Sequence, residues 1–415
     1  MLSKLLGTVL IITSVVFFAG ISAADEFHYN NILIGDRASS MGGAYTGISD
    51  DPAGLYYNPA GIMYSTGRNL SASVNAYNSH VKTYKGVIGG YDWERSSSAL
   101  LPNYFGIIQP LGKMKIGFSY AVPDSALEDQ DQSFYNLPSS LGNATTVKMF
   151  VINFNNEDNI YNYGPSVAAE IMKDLSAGVT LYVHQRRAQV INNQLVNLSD
   201  GRYEWSNIYT ETNEWGFKPV LGVMWSPFEK VSLGISAAKT LIIDSETAGQ
   251  TTYKGINYSL NTVDRIVGIS NAKRKYPYEL RTGVGYFASE RLLLSGDLAF
   301  FTSVKDANYG DKNFVINAAL GTEYYMSRKW AARAGIFTNM ANTNEITAGY
   351  TNQEEHINYY GGGMSLSHFT KNTSVTLGGN MSLGSGKAQV IRGSTGIQDV
   401  SASSWTMFLS SSYSY

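Results

Sequence analysis

The stretch WGFKPVLGVMWSPFEKVSLG, residues Trp215–Gly234, carries the pattern that decides the fold. Its first half alternates, and one face of the predicted strand is almost wholly apolar: Trp215, Phe217, Pro219, Leu221, Val223 and Trp225. The other face carries Gly216, Lys218, Val220, Gly222 and Met224. Alternation with a period of two predicts a β-strand, and aromatic residues at both ends of its apolar face are typical of a strand that crosses a bilayer. A short polar turn and a second alternating run follow, which predicts a tight antiparallel hairpin.

Five further short turns repeat this arrangement along the chain. They are PLGKMKIG (Pro110–Gly117), MKDLSAG (Met172–Gly178), ASERLLLSG (Ala288–Gly296), MSRKWAARAG (Met326–Gly335) and FTKNTSVTLG (Phe369–Gly378). Longer polar stretches separate the hairpins, and we expect loops at 81–97, 124–156, 194–213, 244–274, 304–313, 339–353 and 386–403. Short turns on one side and long loops on the other are typical of an outer-membrane barrel. A half-buried β-sandwich would show the same alternation, and the asymmetry of turns and loops counts against it.

The hairpins also set the number of strands. Six hairpins supply twelve strands, and the runs Arg68–His80 and Ser404–Tyr415 add one at each end, which gives fourteen. The last run places Trp405, Met407, Leu409, Tyr413 and Tyr415 on one face. This aromatic ending resembles the C-terminal signal of proteins that the outer-membrane assembly machinery inserts, so we expect that machinery as a partner. The sequence therefore predicts an all-β fold, a transmembrane antiparallel β-barrel of 14 strands.

Composition favours an exported protein that lies in a membrane. Residues 1–24 combine Lys4, the apolar run Leu5–Gly20 and small residues, which predicts a cleaved signal peptide. An uncleaved membrane helix is the alternative, but the apolar run is shorter than the roughly 20 residues that a span needs. Charged residues make up 15% of the chain, the net charge is −2 and there is no cysteine, so we expect neither nucleic acid as a partner nor disulfides. We expect a multi-pass barrel in a cell outer membrane of the Gram-negative type, in contact with lipid and lipopolysaccharide.

A barrel of fourteen strands encloses a lumen that its own side chains cannot fill. Residues 25–67 are the sizeable segment outside the strand pattern. Their many glycines and alanines permit close packing of the backbone, and turn formers lie at Asp50, Asp51, Asn58, Pro59 and Ala60. We therefore predict a hatch at 25–67, folded into the lumen of a barrel made by residues 68–415.

The stretch RASSMGGAYTGISDDPAGLYYNPAGI (Arg37–Ile62) resembles the N-terminal hatch of the FadL/TodX family of outer-membrane transporters for hydrophobic compounds. LLPNYFGIIQPLGKMKIGFSYAVP (Leu100–Pro123) is similar to the second and third strands of that family, and YPYELRTGVGY (Tyr276–Tyr286) to the start of its eighth strand. The resemblance covers nearly the whole mature chain. A related outer-membrane group that shares the hatch motif serves protein secretion, so the motif indicates the fold better than the cargo.

The resemblance implies transport without energy input. A hydrophobic molecule would be caught at the extracellular loops, enter a pocket above the hatch and leave sideways at a kink in the third strand. This lateral gate would lie at Ser119, Tyr120, Ala121, Val122 and Pro123, where Pro123 cannot donate to the ladder. Lateral exit keeps the cargo in apolar surroundings, which matters because exposing each CH₂ to water costs about 0.8 kcal/mol. The alternative is that Pro123 only ends the strand at its loop.

The predicted loop 244–274 contains apolar residues at helical spacing. These are Ile256, Leu260, Val263, Ile266 and Val267. A helix with this apolar face could form the outer capture groove. The alternative is that the helix only covers the mouth of the barrel.

Six charged residues are expected to point into the lumen, because their neighbours at odd spacing are apolar: Lys218, Glu279, Arg281, Asp297, Glu323 and Arg333. A carboxylate cargo that loses water needs a cationic partner. Arg281 and Arg333 are the candidates, with Lys218 behind them. The alternative is that these cations pair with the nearby acids, or with Asp50 and Asp51, and so hold the hatch.

Nothing in the sequence favours an enzyme, a metal site or a cofactor. The five histidines lack metal-ligand spacing, and MGGAYTG lacks the Gly-Lys-Ser/Thr of a phosphate-binding loop. We expect passive transport of a hydrophobic small molecule, first a long-chain fatty acid and then an aromatic hydrocarbon. The alternatives are an interaction protein on the same scaffold, as a secretion partner or adhesin, and lastly a general porin.

Overall fold

The computed structural model describes residues 27–138, 146–255, 264–390 and 394–414. The predicted signal peptide, residues 1–24, lies outside this part of the chain. The described residues begin with three short helical segments: α1 (Asp36–Ser40), α2 (Gly54–Tyr57) and a 3₁₀ helix (Pro59–Tyr64). None of the described helices has the length and apolar character needed to cross a membrane.

Sixteen strands follow in the described ranges. They are β1 (Asn69–Ile88), β2 (Tyr91–Leu111), β3 (Met114–Pro138), β4 (Thr146–Met172), β5 (Leu175–Leu198), β6 (Tyr203–Phe228), β7 (Val231–Lys239), β8 (Leu241–Lys254), β9 (Asp264–Ser270), β10 (Tyr278–Ser289), β11 (Leu292–Phe301), β12 (Val315–Ser327), β13 (Trp330–Asn339), β14 (His356–Phe369), β15 (Thr373–Ala388) and β16 (Gln398–Ser414). Every pair of neighbouring strands is antiparallel.

The strands close into a barrel with fourteen positions around its wall. β1 pairs with β16 from Asn69 opposite Ser414 onward, which joins the two ends of the sheet. β7 and β8 share one position, because β6 pairs with β7 in its second half and with β8 in its first half. β9 and β10 share the next position, since they pair with β8 and β7 in turn. The predicted fourteen-stranded antiparallel barrel is confirmed.

All six predicted hairpins occur at their predicted places. Each turn leaves only two or three residues between its strands, as at 112–113, 173–174 and 229–230. Gly112 has a φ of 61° and Asp174 a φ of 63°, the left-handed backbone that tight turns require. Glycine adopts it without strain and aspartate tolerates it.

Four of the predicted long loops are wrong, because the strands continue through them. Residues 81–97 fall almost wholly in β1 and β2, residues 124–156 largely in β3 and β4, residues 194–213 mostly in β5 and β6, and more than half of residues 244–274 in β8 and β9. The ladder between β5 and β6 is continuous from Leu175 opposite Trp225 to Asn197 opposite Tyr203. The side chains of these stretches are polar because water surrounds this part of the barrel, while their backbone still forms hydrogen bonds with the neighbouring strands. β4 has 27 residues, which at about 3.3 Å per residue extends far beyond an apolar band about 25 Å tall.

The outer face carries the apolar residues that the alternation predicted. Leu221 is 58% exposed and Trp225 49% exposed, whereas Val220 and Met224 on the other face of the strand are buried. The final strand repeats this arrangement, with Leu409 exposed and Phe408 buried. A closed antiparallel barrel with an apolar outer band is built to lie in lipid, and the protein is a multi-pass β-barrel of the outer membrane.

Candidate functional site

Residues 27–67 lie inside the barrel and contact inward-facing residues on several sides of the wall. Thr180 of β5 donates to Leu55 O at 2.7 Å, and Asn380 of β15 donates to Ser39 Oγ at 2.8 Å. Tyr64 OH donates to Asp174 O in the β4–β5 turn at 3.1 Å. The segment therefore occupies the end of the lumen near the short turns.

Asn58 joins two turns of this segment to the barrel wall. Its Oδ1 accepts from Ala60 N at 3.2 Å, while its Nδ2 donates to Thr46 O and to Val223 O of β6, each at 3.0 Å. Pro59 follows as the first residue of the 3₁₀ helix, where a missing N–H costs nothing. Asn-Pro-Ala thus works as a capped helix start and as a bridge to the wall.

A group of charged residues fixes α1 to the opposite wall. Arg37 Nη1 lies 2.5 Å from Asp50 Oδ1 and 4.0 Å from Asp51 Oδ2, and its Nη2 lies 2.7 Å from Glu323 Oε2. Arg333 Nε donates to Glu323 Oε1 at 2.8 Å. Two guanidinium groups face three carboxylates in this lower cluster (Arg37, Asp50, Asp51, Glu323 and Arg333), so its positive charge is fully neutralised.

The surroundings of Arg333 favour the alternative interpretation, in which lumen charges hold the hatch. Arg333 is 6% exposed and lies among the hatch contacts, and it is not part of the lining of the two cavities described below. Asp297 also contacts the hatch, because its Oδ2 accepts from Tyr45 N at 3.0 Å and Thr46 N at 2.7 Å. The role of Arg333 as a partner for a ligand carboxylate stays a prediction.

Glycines on the inner face of the strands let the hatch approach the wall at van der Waals distance. A methyl group added at Gly178 would lie 2.6 Å from the carbonyl carbon of Pro59, and one at Gly321 would lie 2.7 Å from Met41 Cβ. Real Cβ atoms essentially never approach other atoms this closely, so no side chain fits. The same restriction applies to Gly222, Gly234, Gly283, Gly335 and Gly363. We call these seven glycines the hatch seat.

Sequence reasoning missed the hatch seat, although a signal for it was present. Gly178, Gly234 and Gly335 each close one of the short-turn motifs, at inward-facing positions of three different strands. Glycine weakens a strand because it has no side chain to pack. Its repeated use on one face indicates a backbone that approaches closely.

A cavity of about 680 Å³ lies above the hatch, at the end of the lumen near the long loops. Apolar and aromatic side chains cover one side of it: Tyr84, Trp93, Ile152, Phe154, Val190 and Tyr359. Charged side chains of both signs line the rest, namely Lys82, Arg95, Arg186, Arg274, Asp124, Glu128, Glu354 and Glu355. A cavity with one apolar wall and fixed polar groups is typical of a small-molecule site.

A smaller cavity of about 140 Å³ adjoins the first, with Arg186, Arg274 and Tyr309 lining both. The upper cluster, Lys218, Glu279 and Arg281, forms part of its wall. Glu279 lies 3.2 Å from Lys218 Nζ and 2.5 Å from Arg281 Nε. One carboxylate serves two cations here, so the upper cluster keeps a positive excess.

The barrel wall is interrupted between β2 and β3. The ladder pairs Tyr104 with Ala121 and, farther up, Ser97 with Glu128, but the intervening residues 98–103 and 122–127, all within the described chain, form no ladder pairs with each other. The register is the same on both sides of the gap, and its continuation places Pro102 opposite Pro123. Two opposed prolines remove both N–H donors at one level, which prevents the ladder from closing.

The predicted gate residues fall at the lower edge of this gap. Ser119, Tyr120 and Ala121 belong to the intact ladder with β2, and only Val122 and Pro123 lie in the interrupted part. The strand also bulges against β4 between Ala121 and Asp124. The interruption is thus displaced toward the loops relative to the prediction, because Pro102 on β2 contributes to it as much as Pro123 does.

The N-terminal part of the hatch segment reaches the gap from inside. Ile32 N donates to Pro123 O at 3.1 Å, and Asn31 Nδ2 donates to Asp124 Oδ2 at 3.0 Å. Asp124 also lines both cavities. The cavities therefore extend to the interrupted wall, where residues 31–32 cover the inner side.

The predicted capture groove is tested only in part. Ile256, Leu260 and Val263 lie outside the described residues. Ile266 and Val267 lie in β9, which pairs with residues 247–253 of β8, so the predicted helix does not extend over them. β-branched residues suit a strand, and a paired neighbour overrides the helical spacing.

No protein-family model and no curated protein matches the sequence. Solved structures match over almost the whole fold. The P. putida toluene transporter TodX has a TM-score of 0.65 at 15% identity, with 93% of this chain and 99% of that chain covered. A Pseudomonas aeruginosa FadL homologue has a TM-score of 0.61 at 12% identity, and the Ralstonia pickettii toluene transporter TbuX has 0.60 at 14%, each with the same coverage of 93% and 99%.

The fourteen wall positions, the helical segment inside the lumen and the structural likeness all agree. The chain has the fold of the FadL/TodX-type outer-membrane channels.

Proposed function

We propose that the protein passively carries hydrophobic small molecules through the outer membrane, from the loops into the cavity and then sideways through the gap between β2 and β3. One observation carries the proposal. The cavity of about 680 Å³ extends to Asp124, Ser125 and Ala126 at the interrupted ladder. A cavity that has an apolar wall and reaches an unpaired part of the barrel offers a route for a hydrophobic molecule. A solidly packed lumen would instead favour an interaction protein.

The lower lumen supports lateral rather than axial exit. The glycines of the hatch seat lie so close to the hatch that a methyl group would not fit between them. The charges between the hatch and the wall are neutralised in the lower cluster. We propose that residues 25–67 act as the plug and stay in place during transport. A molecule that leaves sideways enters lipid directly and avoids a transfer cost of about 0.8 kcal/mol per CH₂.

The upper cluster supports a cargo with an anionic end. Lys218 and Arg281 share Glu279, and the remaining positive charge faces the smaller cavity. A long-chain fatty acid could place its carboxylate there and its chain along the apolar wall of the larger cavity. Long-chain fatty acids therefore stay the first predicted cargo, and aromatic hydrocarbons, the ligands named for the similar channels, are the second.

The test restores the missing ladder donors. Pro102→Val and Pro123→Val together supply two N–H groups at the level where the gap begins. We expect uptake of a labelled long-chain fatty acid by cells to fall to the level of cells without the protein. Pro219→Val is the matched control, because Pro219 lies in the continuous ladder between β5 and β6.

Barrel assembly is checked in all variants by the heat-dependent shift in gel mobility. If assembled wild-type barrel gives no more uptake than cells without it, for fatty acids and for toluene alike, transport is excluded and the interaction protein becomes the better explanation. Normal uptake by the closed-ladder variant would exclude the lateral route alone.

A further inference from the structure

His184 of β5 has a ring nitrogen that the fold leaves unused. The side chain is 2% exposed and lines the smaller cavity. Its Nδ1 lies 3.0 Å from Asn162 Oδ1, and its Nε2 has no hydrogen-bond partner among the described residues. Burial of a polar atom without a partner is costly, so a position of this kind in a cavity wall points to a ligand.

The contact with Asn162 decides which chemistry Nε2 can recognise. A carboxamide oxygen is only an acceptor, so Nδ1 carries the proton and donates it. Nε2 of the neutral ring is then an acceptor that requires a donor from the ligand. A hydrocarbon has no such donor, and an ionised carboxylate has none either.

The walls around His184 favour an aromatic ring. The Tyr276 ring lies 5.4 Å from the imidazole at 71°, an edge-to-face contact, and Tyr276 OH is already used by Glu214 Oε2 at 3.3 Å. Tyr29, Tyr56, Phe301 and Tyr309 also line this cavity. The volume of about 140 Å³ fits a single ring, since an apolar protein cavity of about 150 Å³ binds benzene.

A cation lines the same cavity as the acceptor. Lys218 faces the same side of the wall on β6, and the register that pairs His184 with Gly216 and Tyr182 with Lys218 makes Lys218 a diagonal neighbour of His184. A phenolic hydroxyl can donate to Nε2 and at the same time accept from the ammonium group. A hydroxyl on an aromatic ring therefore matches acceptor, cation and walls together.

We propose that the smaller cavity is a subsite for a hydrophobic phenol, whose hydroxyl donates to His184 Nε2 while its ring packs among Tyr56, Tyr276 and Phe301. This rests on the proposed passage of hydrophobic small molecules and adds phenols to its substrate classes. The subsite distinguishes a phenol from the hydrocarbon with the same skeleton.

The test compares p-cresol with toluene and 4-methylanisole. The three share one methylated ring, toluene lacks the oxygen, and 4-methylanisole has the oxygen without a donor. Binding to the full-length barrel in detergent is measured by equilibrium dialysis against matched micelles without protein. We expect p-cresol to bind about tenfold more tightly than either analogue, because a site with a buried acceptor rejects ligands that leave it unpaired.

Variants at one position tie the preference to the imidazole. His184→Leu should abolish the preference, and His184→Gln should retain part of it, because the Gln oxygen also accepts. His368→Leu is the matched control, since His368 packs against Trp330 with a centroid distance of 4.7 Å and lines neither cavity. The ligand comparison on the wild type needs no variant to fold.

Equal affinity for p-cresol and 4-methylanisole, or a preference that survives His184→Leu, would overturn the subsite. Fatty-acid and toluene uptake would then still stand as the test of the wider transport function. No binding of any of the three compounds, together with no uptake of fatty acid or toluene, would overturn both proposals.

Discussion

The two ends of the lumen use the same kinds of residue for opposite purposes. In the lower lumen, Arg37 and Arg333 are outnumbered by carboxylates, and strand glycines hold the hatch backbone against the wall. In the upper lumen, two cations share Glu279 beside cavities of about 680 and 140 Å³. Neutralised charge with close backbone contact suits a permanent closure, and excess charge beside empty space suits a binding site. The difference favours a barrel that is closed along its axis and opens through its wall.

The largest effect is expected from Arg37→Met, which breaks the lower cluster. Asp50 and Glu323 would lose their shared partner inside the barrel, and removal of one member of a buried ion pair costs about 3–5 kcal/mol. Amide hydrogen exchange of residues 36–65 should speed up strongly, because the hatch would open locally more often. Hydrogen exchange followed by mass spectrometry measures this.

Arg95→Met is the matched control from the upper lumen. It removes the same kind of charge from an ion pair in which Arg95 Nη2 lies 2.6 Å from Glu128 Oε2 and both partners belong to the barrel wall, so exchange of the hatch should stay at the wild-type rate. Equal acceleration by both variants would show that the lower cluster does not hold the hatch in the way described.

A smaller effect is expected from Gly335→Val in the hatch seat. The added side chain would meet the backbone of Met41 and Gly42, and overpacking of this kind costs about 1–3 kcal/mol. The hatch should shift from the wall, and single-channel conductance in planar bilayers should rise, because an incompletely plugged barrel of this size conducts water and ions.

Gly268→Val provides the comparison for the hatch seat. Gly268 lies in β9 with open space around it, so valine fits there without contact. Conductance should equal that of the wild type. Unchanged conductance in Gly335→Val would mean that the strand glycines do not set the fit of the hatch.

The lower lumen was less predictable from the sequence than the wall. Alternation and short turns predicted the fourteen positions and the outward residues of β6, because each strand must face lipid on one side. They could not assign a role to Arg333. Alternation with a period of two predicts that a charge points into the lumen, but not how far along the barrel axis it lies or which residue it contacts. Arg333 and Lys218 look alike in sequence, yet one meets Glu323 below the cavities and the other meets Glu279 beside them.

The break in the ladder between β2 and β3 lies next to the residues predicted for the gate, but the sequence showed only half of its cause. Pro123 was apparent as a non-donor in β3, but Pro102 had no meaning until the register placed it on the opposite strand. The role proposed for His184 depends on register in the same way. Its Nε2 is an acceptor because its Nδ1 contacts Asn162, which lies opposite it on the neighbouring β4. Features that depend on one strand alone are therefore predictable from this sequence, whereas features that depend on the pairing of residues distant in the chain are not.

Lys218→Met tests whether the upper lumen recognises the charge of a ligand, in contrast to the lower lumen. The positive excess of the upper cluster would disappear while the apolar wall stays intact. Affinity for palmitate should fall about tenfold, equivalent to about 1.4 kcal/mol, because its carboxylate loses a charged partner, and affinity for hexadecane should stay the same. Equilibrium dialysis in matched micelles measures both, and an equal loss for the two ligands would point to a packing defect instead.

The smallest effect concerns the pH response of the hatch. Burial raises the pKa of Asp51 from 3.8 to about 6, a shift that Arg37 opposes and Asp50 reinforces. Between these two pH values the docked hatch binds more protons than an opened hatch, so lowering the pH through this range stabilises docking and raising it weakens docking. Asp51→Asn should reduce this slope, because asparagine has no carboxyl group to titrate, while its side-chain oxygen can still accept from Ala53 N, as Asp51 Oδ1 does at 2.8 Å.

Hatch hydrogen exchange, corrected for the intrinsic pH dependence of exchange, measures the slope. The wild type should exchange more slowly at pH 4.5 than at pH 6.5, and the difference between the two corrected rates should be smaller in the variant. Binding of p-cresol in the upper lumen offers the contrast. It is proposed to use His184 and Lys218 rather than Asp51, so its pH dependence should be the same in the wild type and in Asp51→Asn. A slope as steep in Asp51→Asn as in the wild type would place the titrating group elsewhere among the hatch contacts, and the hatch would then be held by a different balance of charges from the one described.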